Sequence, residues 1–133
     1  MKIVILGSTG SIGKSTLDVV RKSQGKIEVV GLSAHSNRQI LESQAAEFKV
    51  PHYILSSDAG SEERLIELVS RPDVKAVVVA IVGFAALKPT LAALKAGKTV
   101  AMANKEALVT CGEMLMAVEK ECGGKIIPVD SEH

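Results

Sequence analysis

The stretch KIVILGSTGSIG, residues 2–13, decides the fold class of this chain, because an apolar run passes directly into a glycine-rich turn. The run Lys2–Leu6 is continuously apolar after its first residue, as expected for a strand that helices cover on both faces. Glycines follow at positions 7, 10 and 13, and a helical pattern begins at Ser11. A strand, a glycine turn and a helix in this order are typical of a dinucleotide site, where backbone N–H groups meet a pyrophosphate.

Short β-branched runs alternate with longer amphipathic runs along the rest of the chain. The strands are predicted at Lys2–Leu6, Ile27–Ser33, His52–Leu55, Ala76–Ile81, Thr99–Ala103 and Lys125–Val129. The helices are predicted at Ser11–Lys22, Asn37–Phe48, Ser61–Ser70, Phe84–Ala96 and Lys105–Cys122. Pro89 lies inside the fourth helical pattern, so that helix either begins near it or is kinked there. The alternation predicts a Rossmann-like, doubly wound parallel α/β sheet with helices on both faces and strand order 3-2-1-4-5-6.

Composition and charge exclude several classes of protein. The chain has 133 residues, a formal net charge of +1, 47% hydrophobic residues and 2% aromatic residues, which suits one domain over residues 1–133. A near-neutral charge and few aromatic rings do not favour nucleic-acid binding, which uses basic surfaces and rings that stack on bases. No apolar run approaches the ~20 residues of a membrane-spanning helix, so we expect no membrane partner. Cys111 and Cys122 lack zinc-finger spacing and predict reduced thiols in a cytoplasmic protein.

Residues 13–15, Gly-Lys-Ser, offer an alternative interpretation as the end of a Walker phosphate loop. The Walker motif needs one residue fewer between its first glycine and the Gly-Lys pair than this chain has between Gly7 and Gly13. The later strand Ala76–Ile81 also ends without an aspartate for magnesium. The spacing therefore favours a dinucleotide over a nucleoside triphosphate, and Lys14 is predicted to be an exposed residue of the first helix.

The segment after the second strand, residues 31–38, bears on the choice of cofactor. NAD sites usually carry an Asp or Glu there to accept the ribose hydroxyls, and the segment GLSAHSNR contains neither. Ser36, Asn37 and Arg38 can donate hydrogen bonds to a 2′-phosphate, which favours NADPH. Ser36 or Asn37 is at the same time a candidate N-cap of the second helix.

Two polar segments follow the fifth and sixth predicted strands. Asn104-Lys105-Glu106 resembles an ordinary helix start, in which only the cation Lys105 is unfavourable beside the helix dipole. Asp130 and Glu132 lie two residues apart on an extended segment and therefore face the same side, which suits Mg²⁺ or Mn²⁺. A solvated acidic turn is the alternative for this pair. Since a domain normally continues past such a strand, we expect a longer natural protein.

Four segments in collinear order together resemble the 1-deoxy-D-xylulose 5-phosphate reductoisomerase family. These segments are Gly7–Gly13 with Ser15–Val20, Ala80–Phe84 with Pro89-Thr90, Ala103–Glu106, and Pro128–His133. The combination of Ala-Asn-Lys-Glu with Pro-Val-Asp-Ser-Glu-His in one chain is highly specific, and the similarity spans the whole sequence.

The resemblance implies an enzyme of non-mevalonate isoprenoid biosynthesis. Such an enzyme rearranges a phosphorylated ketose, 1-deoxy-D-xylulose 5-phosphate, and reduces it with NADPH to 2-C-methyl-D-erythritol 4-phosphate. It uses a divalent cation, Mg²⁺ or Mn²⁺, as a Lewis acid, and its full-length form is a homodimer. By the same resemblance the NADPH contacts are Thr9, Gly10, Ser11, Ile12, Asn37, Asn104 and Glu106, the substrate contacts are Lys105 and Ser131, and the metal ligands are Asp130 and Glu132.

Two departures from the family pattern limit these expectations. His35-Ser36 stands where the family often has Gly-Lys, so a lysine contact to the 2′-phosphate is missing. The family's catalytic and C-terminal regions do not match any part of this chain, so we expect at best weak dinucleotide binding and no turnover by the chain alone. The alternatives are another NADP-dependent Rossmann oxidoreductase, of the semialdehyde or homoserine dehydrogenase type, and a non-enzymatic nucleotide-binding module.

Overall fold

The computed structural model describes residues 1–81, 83–103 and 123–128. Within them the strands are β1 (Lys2–Leu6), β2 (Glu28–Ala34), β3 (His52–Leu55), β4 (Ala76–Val79), β5 (Thr99–Met102) and β6 (Lys125–Pro128). The α-helices of the same residues are α1 (Ser11–Lys22), α2 (Arg38–Phe48), α3 (Ser61–Val69) and α4 (Leu87–Lys95). None of the helices described here combines the length and apolar character needed to cross a bilayer.

The strands form one parallel sheet in the order β3-β2-β1-β4-β5-β6, which confirms the predicted fold class and strand order. The chain builds outward from β1 to β3 and then returns to place β4 on the other side of β1. The topological switch point therefore lies between β1 and β4, where Leu6 and Val79 are register partners. In doubly wound sheets the ligand binds at the carboxyl ends of the strands beside this point.

Two hydrophobic cores lie on opposite faces of the sheet, and β1 contributes to both. Val4 and Leu6 belong to the core that includes residues of α3 and α4. Ile3 and Ile5 belong to the core that includes residues of α1 and α2. Since successive side chains of a strand point to opposite faces, covering both faces requires the continuously apolar run that the sequence shows.

The observed start of the fourth helix differs most from the sequence pattern. β4 ends at Val79, two residues early, and a 3₁₀ turn over Gly83–Ala86 replaces the beginning of the predicted helix. α4 itself begins at Leu87, so Pro89 lies in its first turn, where a missing N–H costs little because the first amides have no intrahelical acceptor. The helix thus begins near this proline and is not kinked by it.

The other predicted boundaries are wrong by at most one residue wherever the structure describes them. β2 is shifted by one residue towards the carboxyl end of the chain, because Ala34 still pairs with β3. α2 starts one residue late and α3 and β5 end one residue early. The fifth predicted helix, 105–122, and the last residue of the predicted sixth strand, Val129, lie outside the described residues.

Candidate functional site

The glycine turn between β1 and α1 is anchored to the neighbouring strand β2. The backbone N–H groups of Gly7 and Ser8 both donate to the carbonyl oxygen of Ser33, at 3.0 and 2.8 Å. Gly7 N also lies 3.2 Å from Ser33 Oγ, and the Ser33 side chain is buried. Gly7 has φ +88°, and a Cβ on it would lie 3.0 Å from the carbonyl carbon and oxygen of Ala80. Both the left-handed backbone and the close approach to the end of β4 therefore require glycine.

Gly13 and Gly10 serve different purposes in this turn. A Cβ on Gly13 would lie 2.3 Å from Gly7 O and 2.5 Å from Ser8 Cα, so α1 packs directly on backbone atoms of the turn. A Cβ on Gly10 would meet only Gly7 O, at 3.9 Å, and Gly10 is exposed. The outer glycines of the motif thus allow close packing, and the middle one leaves open space in front of the helix.

The end of the glycine turn and the first residues of α1 present unbonded backbone N–H groups beside this open space. Lys14 is the first residue of the helix whose amide is bonded, to Gly10 O at 2.9 Å. Within the described residues the amides of Thr9, Gly10, Ser11 and Ile12 have no acceptor, and Gly10 has no side chain to cap the helix. Because the positive end of the helix dipole lies at the same place, the turn suits a diphosphate.

A pair of reciprocal hydrogen bonds joins the turn to α2. Ser8 Oγ donates to Gln44 Oε1 at 2.8 Å, and Gln44 Nε2 donates to the Ser8 carbonyl oxygen at 2.9 Å. Ser8 is fully buried and Gln44 is half-buried. The sequence interpretation missed Gln44, which is 36 residues from Ser8 along the chain. The only signal was its place beside Leu41 and Ala45, on the core-facing side of α2.

We expect Gln44→Leu to lower the free energy of unfolding by about 2 kcal/mol. The substitution leaves the Ser8 carbonyl without this donor, and it leaves the buried hydroxyl with only a 3.4 Å contact to Ser33 O. Urea denaturation measures the change. Gln39→Leu makes the same substitution at an exposed position of α2 and is the matched control. Equal stability of the two variants would contradict the role of Gln44.

The loops after β2 and β3 lie against each other at the same edge of the sheet. Ser56 N donates to Ala34 O at 2.8 Å, and Ser57 N donates to His35 O at 2.9 Å. Asn37 is the N-cap of α2, since its Oδ1 accepts from the amide of Ile40 at 3.2 Å. Residues 35–38 are all exposed, so Ser36 and Asn37 remain accessible to a ligand at this edge.

Arg38 is paired with a carboxylate that the local sequence did not reveal. Its Nη2 donates to Asp58 Oδ2 at 3.2 Å and Oδ1 at 3.3 Å, and Asp58 comes from the loop after β3, 20 residues later. The two side chains are 55% and 43% exposed. An ion pair this exposed contributes only about 0–1 kcal/mol to stability. The segment 31–38 contains no acidic residue, but the fold brings one to it.

The predicted substrate and metal contacts follow β5 and β6 and lie outside the described residues. The structure shows where the chain leaves the sheet: Met102 of β5 and Pro128 of β6 are register partners. All pairs are parallel, so both strands end at the edge that carries the glycine turn, and three strand spacings, about 14 Å, separate β1 from β6. Within residues 1–81, 83–103 and 123–128, no three His, Cys, Asp or Glu side chains form a group that could hold a metal ion. The predicted site residues that lie outside these ranges are Asn104, Lys105, Glu106, Asp130, Ser131 and Glu132.

Comparisons with known proteins give matches that extend over most of this chain. The sequence profile of 1-deoxy-D-xylulose 5-phosphate reductoisomerase matches residues 3–65 and 58–112. The curated 1-deoxy-D-xylulose 5-phosphate reductoisomerase of Agathobacter rectalis is 44% identical over an alignment 150 positions long, which covers 99% of this chain and 39% of that protein. The chain thus spans about two-fifths of the length of this relative.

Two solved structures are similar over the same extent. A crystal structure of a DOX-P reductoisomerase with fosmidomycin and magnesium has a TM-score of 0.90 at 38% identity, covering 100% of this chain and 38% of that chain. The 1-deoxy-D-xylulose 5-phosphate reductoisomerase of Zymomonas mobilis in complex with NADPH has a TM-score of 0.86 at 35% identity, covering 99% and 39%.

Proposed function

The chain belongs to the 1-deoxy-D-xylulose 5-phosphate reductoisomerase family, and we propose on this basis that it binds NADPH at the carboxyl edge of its sheet. The proposal rests on the row of unbonded backbone amides at residues 9–12, which includes the exposed Gly10. A row of backbone N–H groups at a helix N-terminus is the usual binding site for the pyrophosphate of a dinucleotide. The family assignment decides against the semialdehyde or homoserine dehydrogenase alternative.

In this proposal, different groups of residues contact different parts of the cofactor. Thr9, Gly10, Ser11 and Ile12 hold the pyrophosphate through backbone N–H groups. Ser36 and Asn37 contact the adenosine end, where both are exposed on the loop after β2. Asn104 and Glu106 contact the cofactor from the segment that follows β5. These assignments place the dinucleotide across the switch point between β1 and β4.

We further propose that the whole protein is a cytoplasmic, homodimeric enzyme that converts 1-deoxy-D-xylulose 5-phosphate into 2-C-methyl-D-erythritol 4-phosphate. Lys105 and Ser131 contact this phosphorylated substrate, and Asp130 and Glu132 hold Mg²⁺ or Mn²⁺. When bound, NADPH supplies the hydride and the cation polarises substrate oxygens. The support is the family assignment together with the relative that was solved with fosmidomycin and magnesium. The carboxylate donors also suit a hard cation.

Titration of the chain with NADPH, followed by the nucleotide's own fluorescence, tests the cofactor proposal. We expect saturable binding that is tighter for NADPH than for NADH and that does not require Mg²⁺. We also expect neither ATP hydrolysis nor consumption of NADPH when substrate and Mg²⁺ are added to the chain alone. Absence of binding by either dinucleotide at about 1 mM would reject the proposal, since that limit corresponds to only about 4 kcal/mol. ATP hydrolysis would instead support the Walker loop.

A further inference from the structure

We infer that Asp58 weakens the preference of this chain for NADPH over NADH, because it competes with the 2′-phosphate for Arg38. The inference rests on the proposed function, which places the adenosine end beside Ser36 and Asn37, the residues that precede Arg38. It adds a residue from a different loop, after β3, whose side chain bonds to Arg38 of the segment after β2. Asp58 is thus a specificity-determining residue rather than a contact of the reacting atoms.

The structure holds the two loops together independently of the ion pair. The amides of Ser56 and Ser57 donate to the carbonyl oxygens of Ala34 and His35. His35 Nδ1 also lies 3.3 Å from Ser56 Oγ. Because the backbones are fixed in this way, Asp58 remains close to Arg38 even if their side chains separate. The carboxylate therefore stays beside any phosphate that Arg38 binds.

The bond between Arg38 and Asp58 is one that a phosphate can replace. Only Nη2 of the guanidinium is used, at 3.2 and 3.3 Å, and within the described residues Nε and Nη1 have no partner. The guanidinium is also more than half exposed. A phosphate dianion presents several acceptor oxygens to the guanidinium fork and is a stronger partner than a carboxylate bonded through one nitrogen.

Only the binding of NADPH has to break the ion pair between Arg38 and Asp58. Once Arg38 turns to the 2′-phosphate, Asp58 loses its counter-charge and lies beside a dianion. NADH carries a hydroxyl at that position and leaves the ion pair undisturbed. Removing the charge of Asp58 should therefore strengthen NADPH binding without changing NADH binding.

The test compares dissociation constants for NADPH and NADH in Asp58→Asn and in the unsubstituted chain at low ionic strength. We expect the NADPH constant to fall about three- to tenfold and the NADH constant to stay within about twofold. In an Arg38→Gln background, where NADPH binds more weakly, we expect Asp58→Asn to give a smaller gain. A smaller gain in NADPH affinity in this background would show that the effect of Asp58 depends on Arg38, as competition for Arg38 requires.

Asp73→Asn is the matched control, since it removes one carboxylate charge in the loop before β4, at the opposite edge of the sheet. A hydrogen bond from Arg71 holds the pKa of Asp73 below its usual value, so this carboxyl is charged at neutral pH as the control requires. We expect Asp73→Asn to change neither constant beyond about twofold. An equal gain for NADPH in Asp73→Asn would overturn the inference in favour of a general charge effect.

Two further outcomes separate the inference from the function on which it rests. NADPH affinity that is unchanged or lower in Asp58→Asn, while both nucleotides still bind, would overturn the inference and leave the proposed function intact. Failure of the unsubstituted chain to bind either nucleotide would overturn both. A gain that is equal for NADPH and NADH would also overturn the inference, because it would not involve the 2′-phosphate.

Discussion

Gly13→Ala is expected to lower the free energy of unfolding by about 2–3 kcal/mol and to abolish detectable NADPH binding. The added Cβ would lie 2.3 Å from Gly7 O and 2.5–2.6 Å from Ser8 Cα and C, and these backbone atoms cannot rotate away as a side chain can. Relief requires α1 to move off the turn, which displaces the amides proposed to bind the pyrophosphate. The better helix propensity of alanine, about 1 kcal/mol, is too small to compensate.

Gly10→Ala is the control that distinguishes the loss of packing between α1 and the turn from a simple block on the approach of NADPH. Its Cβ has space, since the nearest atom is 3.9 Å away and φ is −81°. We expect a stability loss of at most about 1 kcal/mol, because alanine is a poorer N-cap than glycine. NADPH should nevertheless bind at least about tenfold more weakly, because the methyl group occupies the space in front of the amides. Urea denaturation and NADPH titration of both variants measure these effects. Unchanged stability of Gly13→Ala would contradict the close packing of α1 on the turn.

Mn²⁺ binding by the chain is expected to weaken about tenfold or more when Asp130→Asn and Glu132→Gln are combined. Hard divalent cations take their affinity from charged carboxylate oxygens, and neutral amides replace these poorly. Electron paramagnetic resonance of free Mn²⁺ during a titration gives the affinity directly. The two residues follow β6, whose last described residue, Pro128, lies in register with the end of β5.

A control with the same loss of charge is Glu67→Gln combined with Asp73→Asn. Glu67 lies in the last turn of α3 and Asp73 lies in the loop before β4, so neither belongs to the edge that carries the glycine turn. We expect this control to bind Mn²⁺ like the unsubstituted chain. Equal weakening in both double variants would mean that the cation responds to net charge alone, and the solvated acidic turn would then be the better interpretation of Asp130 and Glu132.

The parallel sheet and the glycine turn could be predicted from the sequence because they depend on short-range constraints. An apolar run such as Lys2–Leu6 has to be buried on both sides, and the side-chain period of two distributes it over two cores. Gly7 and Gly13 are needed by the left-handed backbone and by the close packing of α1 on the turn. The N-cap Asn37 is equally local, since its side chain bonds an amide three residues later.

Other features of the site depend on which loops and helices meet in space, and periodicity does not contain this information. Gln44 reaches the buried Ser8 from 36 residues away, and Asp58 reaches Arg38 from 20 residues away. Asp58 is not marked by its neighbours in sequence, and Gln44 is marked only by its place beside Leu41 and Ala45, because a polar residue on a helix or loop usually faces water. The sequence by itself thus determined the class of sheet, the order of its strands and the place of the glycine turn. Only the tertiary structure decided what holds that turn in position and which carboxylate lies beside Arg38, since both follow from the packing of elements distant along the chain.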